Sequence, residues 1–274
     1  MAHETTISLI YISNRYGGLD ILKANILRQQ FFDYEIVFVD GLYNERKDEV
    51  AEYFKHHKII HLPEPEMGEG YVHKLARCWN VAFKACSGKL LISLQDYIYI
   101  PPDAFNKFLY YYRSFNPQAL YSGVGHQYAK PGVDKIKNPK GLISVFEKEY
   151  TKKPENLVWT DPRVRGTDLR MGEPIEWEAN WCAIPRSIIY ELGGMDEEYD
   201  KHGFGYDNTN IAERAKMLGY PTFIDQSNEC FGFRHDDWWP NKLKNSQTYA
   251  DKYHFEIINK MKNGLVSPIL KYLS

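Results

Sequence analysis

Several features that would assign a protein class at once are missing from this sequence of 274 residues. The four cysteines form no CxxC pair, which argues against a zinc knuckle, and we expect reduced, mostly buried thiols. No apolar run approaches the roughly 20 residues that cross a bilayer, and residues 7–12 are too short for a signal peptide. The formal net charge is only −2, so no broad basic surface for nucleic acid is expected.

The common nucleotide and hydrolase motifs are also missing. There is no GxxxxGK[ST] phosphate loop, no GxGxxG after the first predicted strand and no GxSxG. Their absence weighs against P-loop NTPases, standard dinucleotide enzymes and α/β-hydrolases. The sequence is instead rich in aromatic residues, 15% of the chain with 21 Tyr, and its 43% hydrophobic content excludes general disorder.

The first half of the chain alternates strand and helix patterns. Nearly continuous apolar runs predict strands at residues 7–12, 35–41, 59–62 and 89–94, with helical patterns at 19–26, 45–56, 71–86 and 101–113. This alternation predicts an α/β fold with a mostly parallel central sheet flanked by helices. Residues 126–175 lose the rhythm and are typical of long loops. A helix at 207–218, a strand at 222–224 and a C-terminal helix within 241–274 are predicted beyond them.

Three acidic residues stand where parallel strands or helices place ligands, each with a plainer explanation. Asp40 ends a predicted strand and can bind a base or ribose hydroxyl, or simply form a turn. Asp96 ends another and can hold a divalent cation, or cap the next helix. Asp207 opens a helix and can act as a general base, or cap that helix.

Two basic residues and a histidine can likewise either bind a ligand or have an ordinary structural role. Lys74 and Arg77 lie three apart on one helix, where they can neutralise a phosphate or simply face solvent. His235 stands beside two acids and two Trp and can bind a metal or diphosphate, or belong to a surface loop.

Taken in order, these segments resemble the GT-A fold glycosyltransferases, most closely glycosyltransferase family 2. Gln95-Asp96-Tyr97 occupies the DxD position, of which only the middle acid is kept. Residues 191–197, ELGGMDE, resemble the segment ending GGFDE, and residues 203–207, GFGYD, resemble GxGxED with Tyr206 in place of the first acid. The resemblance covers about residues 5–240 and is weak only at 126–175.

The resemblance implies one GT-A domain over 1–274, with a nucleotide-sugar-binding half at about 1–125 and an acceptor-binding and catalytic half at about 126–240. Asp207 would be the base of an inverting transfer, and Asp96 and His235 would hold Mn²⁺ or Mg²⁺. Donor binding is expected from Ser13, Asn14, Arg15, Asp40, Lys74, Arg77, Gln95 and Asp96. Acceptor binding is expected from Trp177, Glu178, Asn180, Trp181, Tyr206 and Trp238.

The expected function is therefore sugar transfer from a nucleotide-diphosphate sugar, UDP before GDP, to the hydroxyl of a glycan or another acceptor. We expect a cytoplasmic protein, and this location includes the cytoplasmic surface of a membrane, where a peripheral enzyme would bind. Two alternatives stay open. The degenerate DxD motif leaves room for a non-catalytic nucleotide- or carbohydrate-binding module on the same fold, and a sugar-phosphate nucleotidyltransferase would also use a parallel sheet and a metal. The latter needs a glycine-rich basic loop after the first strand, which residues 14–18 do not supply.

Overall fold

A computed structural model describes residues 5–128, 157–203, 205–233 and 246–273. Within them the chain forms ten strands: β1 Ile7–Ser13, β2 Tyr34–Asp40, β3 Ile59–Pro63, β4 Leu90–Gln95, β5 Ile98–Tyr99, β6 Leu120–Tyr128, β7 Leu157–Thr160, β8 Leu169–Gly172, β9 Trp181–Pro185 and β10 Thr222–Phe233. The α-helices of the same ranges are α1 Gly18–Ile26, α2 Tyr43–Tyr53, α3 Leu75–Ala85, α4 Ala104–Ser114, α5 Arg186–Leu192, α6 Tyr199–His202, α7 Asp207–Met217 and α8 Ser246–Lys262.

All ten strands join one sheet, in the order β3-β2-β1-β4-β9-β6-β10-β5, with β7 beside β6 and β8 beside β10. The first four strands of this order run parallel, and β6 and β10 run in the same direction. Strand β9 lies between β4 and β6 and is antiparallel to both. The predicted α/β architecture is confirmed, with parallel strands interrupted by β9.

Strand β9 brings the middle of the chain to the carboxyl edge of the parallel strands. Leu94 pairs with Trp181, and the Gln95 N–H donates to the Asn180 carbonyl at 3.1 Å. Because β9 is antiparallel to β4, the residues that precede β9 meet those that follow β4. Residues 178–181 therefore join the ends of β1, β2 and β4 along one edge.

Two apolar cores lie on the two faces of the sheet. Phe38 belongs to one of them, and Trp79 and Phe83 of α3 belong to the other. All three are buried, as the helix and strand patterns predict. The strands alternate between the cores because successive side chains of a strand point to opposite faces. This double burial explains why the strand sequences are nearly continuous apolar runs.

Two elements differ from the sequence prediction. Helix α3 begins at Leu75 rather than residue 71, because the N–H groups of Val72 and His73 donate to the Asp200 carbonyl instead of forming a helical turn. Strand β10 extends to Phe233, with a register shift between Ile224 and Glu229 that its polar middle residues conceal in sequence. Helix α8 ends at Lys262, as its pattern predicts, and the chain then returns to α5.

All four cysteines are free and buried, as expected. Burial raises the pKa of Cys78 and Cys86 to about 12, which keeps both thiols protonated and unreactive. Among the described residues, no helix combines the length and apolar character that membrane crossing requires.

Candidate active site

The end of β1 and the end of β4 meet at Asp96. Its Oδ2 accepts from Ser13 Oγ at 2.8 Å, and its Oδ1 is paired with the Arg15 guanidinium. Burial raises the pKa of Asp96 above the usual range, and Arg15 and Ser13 oppose that shift. A Cβ on Gly18 would lie 2.1 Å from Ser13 Oγ, so glycine is required there for this close approach.

Asp40, at the end of β2, is bound on all sides. Its Oδ1 accepts from Arg46 Nη2 and the Leu42 N–H, both at 2.7 Å, and its Oδ2 accepts from Arg46 Nε at 2.8 Å and lies 2.8 Å from His61 Nε2. Although burial raises the pKa of Asp40, the contacts with His61 and Arg46 hold it below the usual value. Asp40 thus anchors the wall of the site, and any contact with a nucleotide would be added to this network.

The two basic residues at the start of α3 are half-buried and paired. Lys74 Nζ lies 2.6 Å from a carboxylate oxygen of Glu64, and Arg77 Nη1 donates to the Glu66 carbonyl at 2.7 Å. Asn14, in the loop after β1, is exposed, and Gln95 at the end of β4 is half-buried. Among the predicted donor residues, the structure thus brings Ser13, Arg15 and Asp96 into direct contact.

A cavity of about 630 Å³ opens beside Tyr97, where β4 ends. Its aromatic and apolar wall includes Trp159, Ile175 and Trp181, and its polar wall includes Asn180 and Glu178. Three predicted acceptor residues, Glu178, Asn180 and Trp181, therefore line one cavity. Apolar ring faces combined with a few polar groups are typical of small-molecule sites.

Charged side chains that the sequence did not single out line the same cavity. Arg163 binds the buried Asp161 carboxylate and donates to Ser122 Oγ at 2.8 Å and to the Glu176 carbonyl at 2.7 Å. Burial raises the pKa of Glu178, and the charge of Arg163 opposes that shift. The Asp-x-Arg spacing at 161–163 was the available signal, but it lies in the stretch that is typical of long loops in sequence.

Both tryptophans that precede or begin β9 are buried. Trp181 is 1% exposed and packs on Phe108, with ring centroids 4.8 Å apart, while one side of it lines the cavity. Trp177 is 3% exposed, and its indole N–H donates to the Tyr121 carbonyl at 3.2 Å. Of these two tryptophans, Trp181 lines the cavity and Trp177 does not, and the 1% exposure of Trp181 favours core packing for most of its ring.

Asp207 is the first residue of α7 and is half-buried. Burial raises its pKa, the positive charge of His73 opposes that shift, and so do backbone N–H groups at the helix start. The next residue ties it to the segment that leads to Glu178, because Asn208 Nδ2 donates to the Trp177 carbonyl at 2.8 Å. The charge of Asp207 also contributes to the raised pKa of Glu178. Asp207 does not itself line the cavity, and it lies close to Glu178, which does.

Tyr206 adopts a left-handed backbone, with φ of 62°, directly before Asp207. This conformation is costly for a large aromatic residue and is most often retained where the surroundings require it. The ring stacks on His254 of α8 with centroids 4.5 Å apart and an interplanar angle of 20°. The predicted acceptor role of Tyr206 therefore competes with a contact to the C-terminal helix.

The metal prediction depends on Asp96, which the structure describes, and on His235, which lies outside the described residues. Both oxygens of Asp96 already accept from Ser13 and Arg15, and no group of three His, Cys, Asp or Glu side chains suited to a metal occurs among the described residues. His235 and Trp238 lie outside the described residues. The described donor set is one carboxylate paired with an arginine, which does not by itself fit a divalent cation.

No protein-family model and no curated protein matches the chain in sequence. Solved structures match it in fold. One is the mannosyltransferase PcManGT from Pyrobaculum calidifontis in complex with GDP-Man and Mn²⁺, with a TM-score of 0.57 and 17% identity over 99% of this chain and 68% of that one. Another is GalNAc-T7 with UDP, GalNAc and Mn²⁺, with a TM-score of 0.63 and 13% identity over 99% of this chain and 52% of that one.

At these identities the similarity establishes the fold. The chain has the GT-A fold, as the order of its motifs predicts. It spans about half the length of GalNAc-T7. Membership of glycosyltransferase family 2 stays a prediction.

Proposed function

We propose that this GT-A chain is a glycosyltransferase that moves a sugar from a nucleotide-diphosphate sugar to an acceptor hydroxyl. The observation that carries the proposal is that Asp207 lies close to Glu178, which lines a cavity together with Tyr97 and Trp181 at the carboxyl edge of the parallel strands. Both neighbours were solved with a nucleotide or nucleotide sugar, which supports a donor of the same class, with UDP or GDP as the base.

In the proposed reaction Asp207 accepts the proton of the acceptor hydroxyl. The acceptor oxygen attacks the anomeric carbon from the face opposite the diphosphate, the bond from that carbon to the diphosphate oxygen breaks, and the diphosphate leaves with the electron pair. The configuration is therefore inverted. The raised pKa of Asp207 suits a general base better than an ordinary aspartate, because a stronger base takes the proton more readily.

Arg15, Lys74 and Arg77 are the cationic side chains that we assign to the leaving diphosphate. Arg15 follows β1, and Lys74 and Arg77 lie at the start of α3. Their partners are the carboxylates of Asp96 and Glu64 and the carbonyl of Glu66, and each cation can bind a ligand while it keeps its partner. Mn²⁺ or Mg²⁺ is suggested by the Mn²⁺ in both neighbours. Because the described donor set does not fit a cation, none of these steps is assigned to one.

The Asp207→Asn variant tests the base. Removal of a general base typically costs about 10²–10⁴-fold in rate, so kcat should fall by at least about 100-fold while the melting temperature stays near that of the wild type. The assay screens UDP-, GDP- and dTDP-sugars for transfer and donor hydrolysis. Asp103→Asn, at a half-exposed carboxylate, is the matched control and should leave activity unchanged. Full activity of Asp207→Asn would contradict the assignment.

One observation favours a second candidate, the non-catalytic binding module. The single acid kept from the DxD motif is already paired with Arg15 and Ser13. Calorimetry with UDP and GDP, with and without Mn²⁺, separates the two functions. Nucleotide binding without hydrolysis or transfer over long incubation would support the module, whereas transfer of any sugar would exclude it.

A further inference from the structure

His73 lies at the start of α3, between α3 and the turn that leads to Asp207. Its Nδ1 is 2.9 Å from Asp200 Oδ1, and its Nε2 is 2.8 Å from the carbonyl oxygen of Gly203. The side chain is 11% exposed. The histidine therefore connects the helix that carries Lys74 and Arg77 to the turn that carries the base.

Both ring nitrogens face acceptors, and only the imidazolium form can donate from both. Nδ1 also faces a donor, the Leu75 N–H, whose nitrogen lies 3.3 Å away, but the shorter contact with the Asp200 carboxylate is the stronger one and favours a protonated Nδ1. Burial lowers the pKa of His73, and the contacts with Asp200 and Gly203 outweigh burial and raise it above its ordinary value. The ring is therefore protonated more readily than an ordinary histidine, in a nearly closed environment.

Asp200 makes this arrangement rigid. Its carboxylate is buried and accepts from the N–H groups of Ala76 at 2.9 Å and Arg77 at 3.0 Å, which begin α3. Its backbone carbonyl accepts from the N–H groups of Val72 and His73. One residue of α6 therefore caps α3 and holds His73, because the first N–H groups of a helix have no partner within it.

Among the described residues, the charged groups that face His73 include Asp200 from α6 and Asp207 from α7. Asp200 is already committed to the start of α3. Asp207 is the carboxylate whose protonation responds to the histidine, and among the charged groups His73 opposes the effect of burial on Asp207 most strongly.

We propose that His73 is a positioning residue for the general base: it holds the Gly203 carbonyl at the beginning of the turn and keeps a positive charge beside Asp207. The inference rests on the proposed function, since it assigns His73 a part in the same reaction. It also explains why the turn is anchored to the donor-binding helix. The base is held in place by the same helix start that we assign to the diphosphate.

A titration by NMR tests the charge without any assay of activity. The ring resonance of His73 is identified by its loss in His73→Gln. We expect it to titrate above the ordinary value of about 6.5 and to shift to lower pH in Asp207→Asn, because the neighbouring negative charge is gone. A His73 pKa below 6.5 that is the same in Asp207→Asn would overturn the proposal, whether or not sugar transfer is found.

The kinetic test uses the pH profile. Loss of the imidazolium raises the pKa of Asp207, so the acid limb of kcat in His73→Gln should move up by about one pH unit. His73→Arg keeps a charged donor and should leave the limb near its wild-type position. His57→Gln, at an exposed histidine, is the matched control and should change nothing. A uniform loss of kcat with an unshifted limb would show a merely structural role and contradict the proposal.

The two tests separate the possible failures. If the wild type transfers no sugar from any donor, the proposed function fails, and the NMR titration still decides whether His73 is charged beside Asp207. If the wild type is active and the limb does not move in folded His73→Gln, only the positioning role fails. Circular dichroism and the melting temperature of each variant establish that it folds.

Discussion

The ion pair of Asp40 with Arg46 makes a contribution to folding stability whose dependence on pH can be predicted. Both side chains are buried, and both guanidinium contacts are shorter than 3 Å. The contacts hold the pKa of the folded Asp40 below its ordinary value. The stability that results is complete above the unfolded pKa of about 3.9 and is lost as the pH falls through the lower folded pKa.

Arg46→Gln should therefore lower the free energy of unfolding at pH 7 by about 3 kcal/mol, because it leaves a buried carboxylate without its partner. Between pH 2 and 5 the variant should also lose less stability on acidification than the wild type. Urea unfolding at a series of pH values measures both effects. Lys55→Gln breaks an exposed ion pair and should change stability by less than about 1 kcal/mol. Equal losses in the two variants would contradict the prediction.

Single residues of the site divide into those that the sequence locates and those that it does not. The acids at strand or helix ends, Asp40, Asp96 and Asp207, were found because the ends of apolar runs are visible in sequence. His73 and Asp200 were not found. His73 contacts Gly203, which is 130 positions away, and Asp200 contacts Ala76, which is 124 positions away, and no local pattern reveals such pairs. Polar networks depend on tertiary contacts, and a lone histidine before a helix carries no distinguishing signal.

Among the elements, β6 shows how closely the sheet packs under the cavity. A Cβ on Gly123 would lie 2.2 Å from Trp181 Cδ1 and 2.5 Å from the backbone oxygen of Asn228. A Cβ on Gly125, two residues along the same strand, would meet its nearest atom, Cys230 Sγ, at an ordinary 3.5 Å. The first glycine is therefore needed to seat the tryptophan, and the second is not.

Gly123→Ala should lower the free energy of unfolding by about 1–3 kcal/mol, the typical cost of overpacking a core. Gly125→Ala, the matched control, should be neutral or slightly stabilising, because glycine weakens the interior of a strand. Urea unfolding followed by tryptophan fluorescence compares the two variants. A similar loss in both would show that the close contact with Trp181 does not limit the packing.

The helices and strands of the first half follow from the sequence because local pattern and burial agree there. Phe38 and Trp79 are apolar at positions that the sheet and α3 bury. The pattern fails where tertiary contacts redirect the backbone, as at Val72 before α3, or where polar residues interrupt a strand, as in the middle of β10. The insertion of β9 between β4 and β6 cannot be read from a local pattern at all.

At the scale of the whole molecule, the chain after α8 closes over the buried Arg214. The Leu270 N–H donates to the Leu192 carbonyl at 2.9 Å, and the Tyr272 N–H donates to the Gly193 carbonyl at 3.0 Å. Leu273 is buried in the core of the α3 side of the sheet. Residues 265–273 therefore act as a strap across the turn after α5.

Deletion of residues 265–274 should lower the melting temperature by about 5 °C or more, since burial of one Leu side chain contributes about 2 kcal/mol and each kcal/mol shifts Tm by about 2–4 °C at this size. Leu265→Ala, at a side chain that is 77% exposed, is the control within the same segment and should leave Tm unchanged. Differential scanning calorimetry measures both. An unaltered Tm in the deletion variant would show that the strap adds no stability.

The order of the strands also constrains how the protein can be made. Strand β4 pairs with β9, and β5 pairs with β10. Strands β4 and β5 are therefore synthesised long before β9 and β10. Until then the nascent chain carries an open, apolar sheet edge along Leu90–Gln95, the kind of edge that invites aggregation. A fragment of residues 1–125 alone would keep this edge of β4 open, and we expect it to aggregate.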